Sequence, residues 1–328
     1  MIRFADWRRP ADDGYAFALR PLGPAGLAPA LPPAGARADI RDVARLALAD
    51  GEADRFAARV TRWSGPEDTR PDGARPYVGE QVTFAERAGW GPLDPGAVEE
   101  VLSGTVLALR GPGGRADYVL RDHHVLDVVL YHYATTGALP TGLFHADRHS
   151  DWCQDRYLLA RRPAQAATWW ALLPGLKRPG GAAVLEERDV IFTTAQPPPG
   201  VGAGRDVGAS TRVPGCVDRA DLPWERALAL AAARPPDWLS LDLDDFQPVA
   251  QLRLTRGLLR DPRFAALNAG ARVRMFVLSP QFTDGGDVVD PWVVRGSRSS
   301  SLRLLNWLRA VGAADDGRFD GRRGRRQP

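Results

Sequence analysis

Two apolar runs in this chain end in clusters of carboxylates and imidazoles, and the fold has to place those ends where the charge is compensated. The first run is Leu143-Phe144, followed by the alternation His145-x-Asp147-x-His149-x-Asp151. The second runs from Trp238 to Leu241 and continues into Asp242-x-Asp244-Asp245. In extended backbone successive side chains point to opposite faces. His145, Asp147, His149 and Asp151 would then share one face, and Asp242 and Asp244 would lie opposite Leu241 and Leu243. A strand end that merely exposes polar groups to water would explain one such cluster. Carboxylates side by side repel unless a cation lies between them, so a second cluster in the same chain argues for a bound metal. All five histidines (His123, His124, His132, His145, His149) fall between positions 123 and 149. Imidazole and carboxylate together are the ligand set of Zn²⁺, Mn²⁺, Fe²⁺ or Ni²⁺.

At 328 residues and 44% hydrophobic, the chain can bury a large core as one α/β domain or a domain with an extension. No apolar run approaches the ~20 residues of a membrane span. The opening MIRFADWRRPADDGYAF has no apolar core region or cleavage pattern of a signal peptide. Cys153 and Cys216 do not make a disulfide framework, so a cytoplasmic location is expected. Cys153, two residues after Asp151, reads as a small buried side chain rather than a thiolate ligand. The formal net charge of +3 is concentrated in the tail 317–328, which holds five arginines and one aspartate and leaves the rest near neutral. Such a Gly/Arg terminus reads as a disordered, solubilising end. With no aromatic platform beside it, it argues against nucleic acid as a partner.

The first 35 residues are rich in Pro, Gly and Ala and read as an extended connector. Asp39 is placed to cap a helix through DIRDVARLALAD, with Ile40, Val43, Leu46 and Leu48 as its apolar face and Gly51 as its stop. EADRFAARVTRW reads as a second helix with Phe56, Val60 and Trp63 together. Residues 1–103 therefore form a partly helical N-terminal extension, either holding substrate or packing on the core. From Gly104 apolar strands alternate with helical stretches. TVLALR and ADYVLR flank Gly-Pro-Gly-Gly as a hairpin. A helix over about 125–133 follows, then the LFHAD strand, a helical stretch near 166–176 and the strand 189–195. Next come a loop after it, a helix over WERALALAAA capped by Asp221 with Pro223 in its first turn, and WLSLDLDD. A helix ending near Leu267, the strand 273–280 and a last helix through SLRLLNWLRAV complete the chain. Ligands at the carboxyl ends of alternating strands describe an open, mostly parallel sheet flanked by helices.

Asp147-Arg148-His149-Ser150-Asp151 resembles the D-A-H-x-D motif of arginase-like ureohydrolases. Ser240-Leu241-Asp242-Leu243-Asp244-Asp245-Phe246-Gln247-Pro248 is similar to their S-x-D-x-D-x-x-D-P, with Gln247 where the family has a carboxylate. The family's remaining ligand is a histidine at an upstream strand-to-helix junction. Asp122-His123-His124 after Tyr118-Val119-Leu120 fits such a junction, without the usual preceding glycine pair. His124 is preferred to His123 because it lies 23 residues before Asp147, a spacing similar to the family's. The combination resembles the divergent branch containing the peptide arginases, which convert arginine side chains of ribosomally made peptides to ornithine. The resemblance covers about residues 115–310 and implies an arginase/deacetylase-like α/β fold over 104–316.

The resemblance further implies two Mn²⁺ ions per chain. One would be held by His124, Asp147, Asp151 and Asp242, the other by His149, Asp147, Asp242 and Asp244. Four carboxylates, two imidazoles and no thiolate favour Mn²⁺ over Zn²⁺. Asp151 would orient the attacking water, and His145 would steady a ligand's protonation or simply bond to backbone. The substrate departs from the simple members. No histidine follows His149 as proton shuttle, and the strand 273–278 lacks the guanidinium-binding glutamate. Asp284 or Asp245 would hold the guanidinium, with Glu186 and Glu187 as weaker choices. The expected partner is a peptide, with or without a leader-bearing precursor, lying between the N-terminal region and the loop 196–210; a homo-oligomer stays open. Two other classes remain: an arginase-fold deacetylase or amidohydrolase on a small molecule, and a non-catalytic peptide-binding protein.

Overall fold

The computed structural model describes residues 17–21, 35–49, 51–63, 82–91, 93–121, 124–146, 176–185, 189–194, 222–242 and 261–278, with the helical residues Leu305 and Leu308. In chain order the elements are β1 (Phe17–Ala18), β2 (Arg37–Ala38), α1 (Ile40–Ala47), α2 (Glu52–Trp63), β3 (Val82–Ala88), α3 (Pro95–Leu102), β4 (Thr105–Arg110), β5 (Ala116–Arg121) and α4 (Val125–Thr136). They continue with β6 (Leu143–Ala146), β7 (Leu176–Lys177), β8 (Val190–Thr194), β9 (Leu222–Pro223), α5 (Trp224–Ala233), β10 (Trp238–Asp242), α6 (Pro262–Gly270) and β11 (Val273–Leu278). Among the described residues nine strands form one sheet in the order β2-β3-β4-β5-β11-β10-β6-β8-β9, and β1 pairs with β7 apart from it. From β5 to β9 every neighbouring pair is parallel. The fold is thus mixed α/β with a mostly parallel central sheet flanked by helices.

Strands buried on both faces are continuous apolar runs, because each face must meet a helical layer. On one face Tyr118, Leu120, Trp238, Met275 and Val277 pack with residues of α1, α2 and α4, among them Val43, Phe56, Val125 and Val129. On the other, Val119, Leu239, Leu241, Phe276 and Leu278 pack with Val98, Val101, Trp224, Leu228, Phe264 and Leu267 from α3, α5 and α6. At the amino edge Asp237 joins three strands. Its Oδ1 accepts from the Thr141 and Gly142 amides at 2.8 and 2.9 Å, and its Oδ2 accepts from Arg272 at 2.5 Å.

The hairpin around Gly-Pro-Gly-Gly is present, with β4 and β5 antiparallel. Asp39 caps α1 as its position requires: Oδ1 accepts from the amides of Arg41 (2.7 Å) and Asp42 (2.9 Å), and the Asp39 amide donates to Asp42 Oδ2. Asp39→Ala should therefore destabilise the protein by about 1 kcal/mol, read as a lower urea midpoint at unchanged slope. A midpoint equal to wild type would show that tertiary packing alone sets where α1 begins.

Several local expectations are corrected. Helix α1 stops at Ala47, not at Gly51, and Leu48 leaves the helical face to bridge Leu19. Helix α5 begins at Trp224 with Pro223 as its cap residue, because Pro223 pairs with Thr194 in the sheet; Asp221 lies outside the described residues. Leu176, expected at a helix end, is strand. Residues 17–18, expected in a connector, pair with it. Strand β3 and helix α3 were not anticipated, and β3 places part of residues 1–103 in the same sheet as β5.

Candidate metal centre

The parallel register carries two of the expected ligands to one edge of the sheet. Asp242, the last residue of β10, is in register with Val277 of β11, and Val277 with Leu120 of β5. On the other side of β10, Leu241 is in register with Ala146, the last residue of β6. Asp242 therefore stands at the edge where β5 and β6 also finish. His124 stands four residues past Leu120, at the start of α4. Alternation puts Asp242 on the same face as Trp238, the face that α4 covers.

Both side chains are withdrawn from water, His124 fully and Asp242 to 3% exposure. A buried carboxylate is costly unless it is paired, hydrogen-bonded or bound to a metal. His124 begins α4 without a side-chain cap bond to the helix backbone. Its Nδ1 instead lies 3.1 Å from Oδ2 of Asp127, one turn into the helix and also fully buried. Burial pushes the Asp127 carboxyl well above the usual carboxylate range. The aspartate was not anticipated; its signal was its position three residues after a histidine at a helix start, where the two side chains share a face.

His145 lies within β6, buried, with its Cα in register with Ser240 and Phe192 and its ring 5.1 Å from Phe192 in an edge contact. Ser240, two residues before Asp242 on the same face, is fully buried, and its Oγ has no hydrogen-bond partner among the described residues. Polar groups thus continue from Asp242 into the sheet on the side that α4 covers. His132 is a different case. Its Nδ1 is hydrogen-bonded to the Tyr118 hydroxyl at 2.9 Å, and its ring packs edge-to-face with Trp238, the centroids 5.2 Å apart. Burial, with the positive fields of Arg110 and Arg272, pushes the His132 imidazole down to about 4, so it packs as a neutral core group.

The other expected site residues, Asp147, His149, Asp151, Asp244, Asp245 and Asp284, lie outside the described residues. So do His123, Glu186, Glu187, Cys153, Cys216, the loop 196–210 and the tail 317–328. Among the described residues no group of three or more His, Cys, Asp or Glu side chains forms a metal cluster. The two described side chains are nevertheless of types that a divalent cation takes: one imidazole, held at Nδ1 by a buried carboxyl group, and one buried carboxylate at the same end of the sheet. No protein-family model matches the chain, and no curated protein matches it. No helix among the described residues is long and apolar enough to cross a membrane.

Proposed function

We propose that the chain is an arginase-like, Mn²⁺-dependent hydrolase of guanidino groups, acting on arginine side chains of a peptide. The observation that carries this reading is the placement of His124 and Asp242, both buried, at the end where the parallel strands β5, β11 and β10 finish. These are the two described members of a six-residue set whose motifs resemble those of the ureohydrolases, the others being Asp147, His149, Asp151 and Asp244. A carboxylate-rich set of this kind suits Mn²⁺. When bound, the ions supply a nucleophile at neutral pH by lowering the pKa of water. The chain's own part is to hold the arginyl side chain against that edge, with Asp245 or Asp284 facing the guanidinium and Asp151 directing the water. The reaction breaks the bond from the side-chain nitrogen to the guanidino carbon and adds water, giving ornithine and urea.

A peptide is favoured over free arginine for two reasons. Strand β11, Val273–Leu278, carries no carboxylate to take a guanidinium. The chain also has about 100 residues ahead of the motif-bearing part. The test uses Mn²⁺-loaded protein with free arginine, agmatine and an arginine-containing peptide. Urea should appear with the peptide, whose mass falls by CN₂H₂ per arginine converted. Faster urea release from the two small substrates would overturn peptide specificity. Acetate from acetyl-lysyl or acetylpolyamine substrates, with no urea from any guanidine, would replace the reading by a deacetylase. Metal binding with neither product would favour a non-catalytic peptide-binding protein.

A further inference from the structure

We propose that Asp127 is a positioning residue of the metal centre, holding the His124 imidazole by Nδ1 so that Nε2 is the nitrogen turned towards a cation. The inference rests on the metal-hydrolase reading above. Its basis is the 3.1 Å contact between two fully buried side chains at the first turn of α4. An aspartate in a first helical turn already gains from the helix dipole, but that role is filled equally well by a side chain in water. Full burial costs several kcal/mol unless the carboxylate has a specific partner, so position in the helix does not account for it. The same helix supplies a comparison. His132, two turns on, is buried for packing, and its bonded neighbour is the neutral phenol of Tyr118 rather than a carboxylate. A carboxylate on the far nitrogen of a ligating imidazole fixes ring orientation and raises basicity, and its loss typically weakens metal affinity by about 10- to 100-fold.

The test compares Asp127→Asn, which keeps the shape and an accepting oxygen, with Asp127→Leu, which removes both accepting oxygens. Mn²⁺ is titrated calorimetrically into each metal-free protein. Dissociation constants should rise about 10-fold for the asparagine variant and about 100-fold for the leucine variant, with the melting temperature of metal-free Asp127→Asn close to wild type. In Zn²⁺-loaded wild type, nitrogen NMR should show His124 bonded through Nε2 with the proton on Nδ1. Wild-type affinity in the asparagine variant, or coordination through Nδ1, overturns the proposal even if Asp127→Leu does not fold. A helix-stabilising role alone would lower the melting temperature and leave affinity unchanged. Wild-type protein that binds neither Mn²⁺ nor Zn²⁺ removes the functional reading itself. Binding that is indifferent to Asp127 removes only this inference.

Discussion

Asp242→Ala should leave a folded chain that takes up neither Mn²⁺ ion and releases urea from no substrate above background. The residue ends β10 at 3% exposure, and the motif resemblance gives it to both ions as a bridge. Removing it withdraws a buried negative charge, so the metal-free variant should be no less stable than metal-free wild type. The contrast appears on adding Mn²⁺. A ligand that binds only the native state stabilises it by RT ln(1 + [L]/Kd), about 2.7 kcal/mol at one hundred times Kd. The wild-type melting temperature should therefore rise with Mn²⁺ and that of the variant should stay flat, with elemental analysis reading two ions against none. A variant that retains one tightly held ion would make Asp242 a terminal ligand. One that retains both would remove it from the site.

The largest effect on folding should come from Asp117→Ala. Arg274 is fully buried in β11, and Asp117 on the neighbouring strand β5 is its counter-charge, accepting from Nε at 2.7 Å and from Nη2 at 2.5 Å. Asn268 of α6 accepts from Nη1 at 3.0 Å, and the Trp90 indole donates to Asp117 as well. The guanidinium also lies 5.4 Å from the Phe276 ring centroid. Alanine at 117 would leave a guanidinium inside the apolar layer between the sheet and α6, with a single neutral side-chain acceptor among these contacts. Breaking a buried pair on one side costs about 3–5 kcal/mol. That is a large share of the roughly 5–15 kcal/mol that holds a domain together. Urea unfolding measures it directly. Asp117→Leu combined with Arg274→Met should recover most of the loss, since apolar residues of similar volume replace such pairs at little cost. A single variant within about 1 kcal/mol of wild type would mean that water reaches Arg274.

Much of the fold is legible in the chain because its signals are local. The cap at Asp39, the Gly-Pro-Gly-Gly turn between β4 and β5, and the apolar runs of β6, β8, β10 and β11 each follow from a few adjacent residues. Strand β3 was missed because its alternation, buried at Val82 and Phe84, dissolves into Glu86 and Arg87 towards its end. Its place is decided by pairing with β4 and by the Phe84 ring, which stacks 4.1 Å from Tyr131 of α4. The start of α5 shifted for the same kind of reason, since Pro223 is held by the sheet partner Thr194 rather than by helix propensity.

The site divides along the same line. The residue types and spacing around His145–Asp151 and Asp242–Asp245 are what raises the expectation of a cation, because like charges side by side repel unless one lies between them. They are silent on which strands lie side by side. Tertiary structure decided that β5 and β10 flank β11, so that His124 and Asp242, 118 positions apart in the chain, finish at one edge. It also decided that Asp117 meets Arg274 across 157 positions. Such pairings are set by burial. A charge withdrawn from water must find its partner wherever the packed layers put one, and that distance is not written in neighbouring residues.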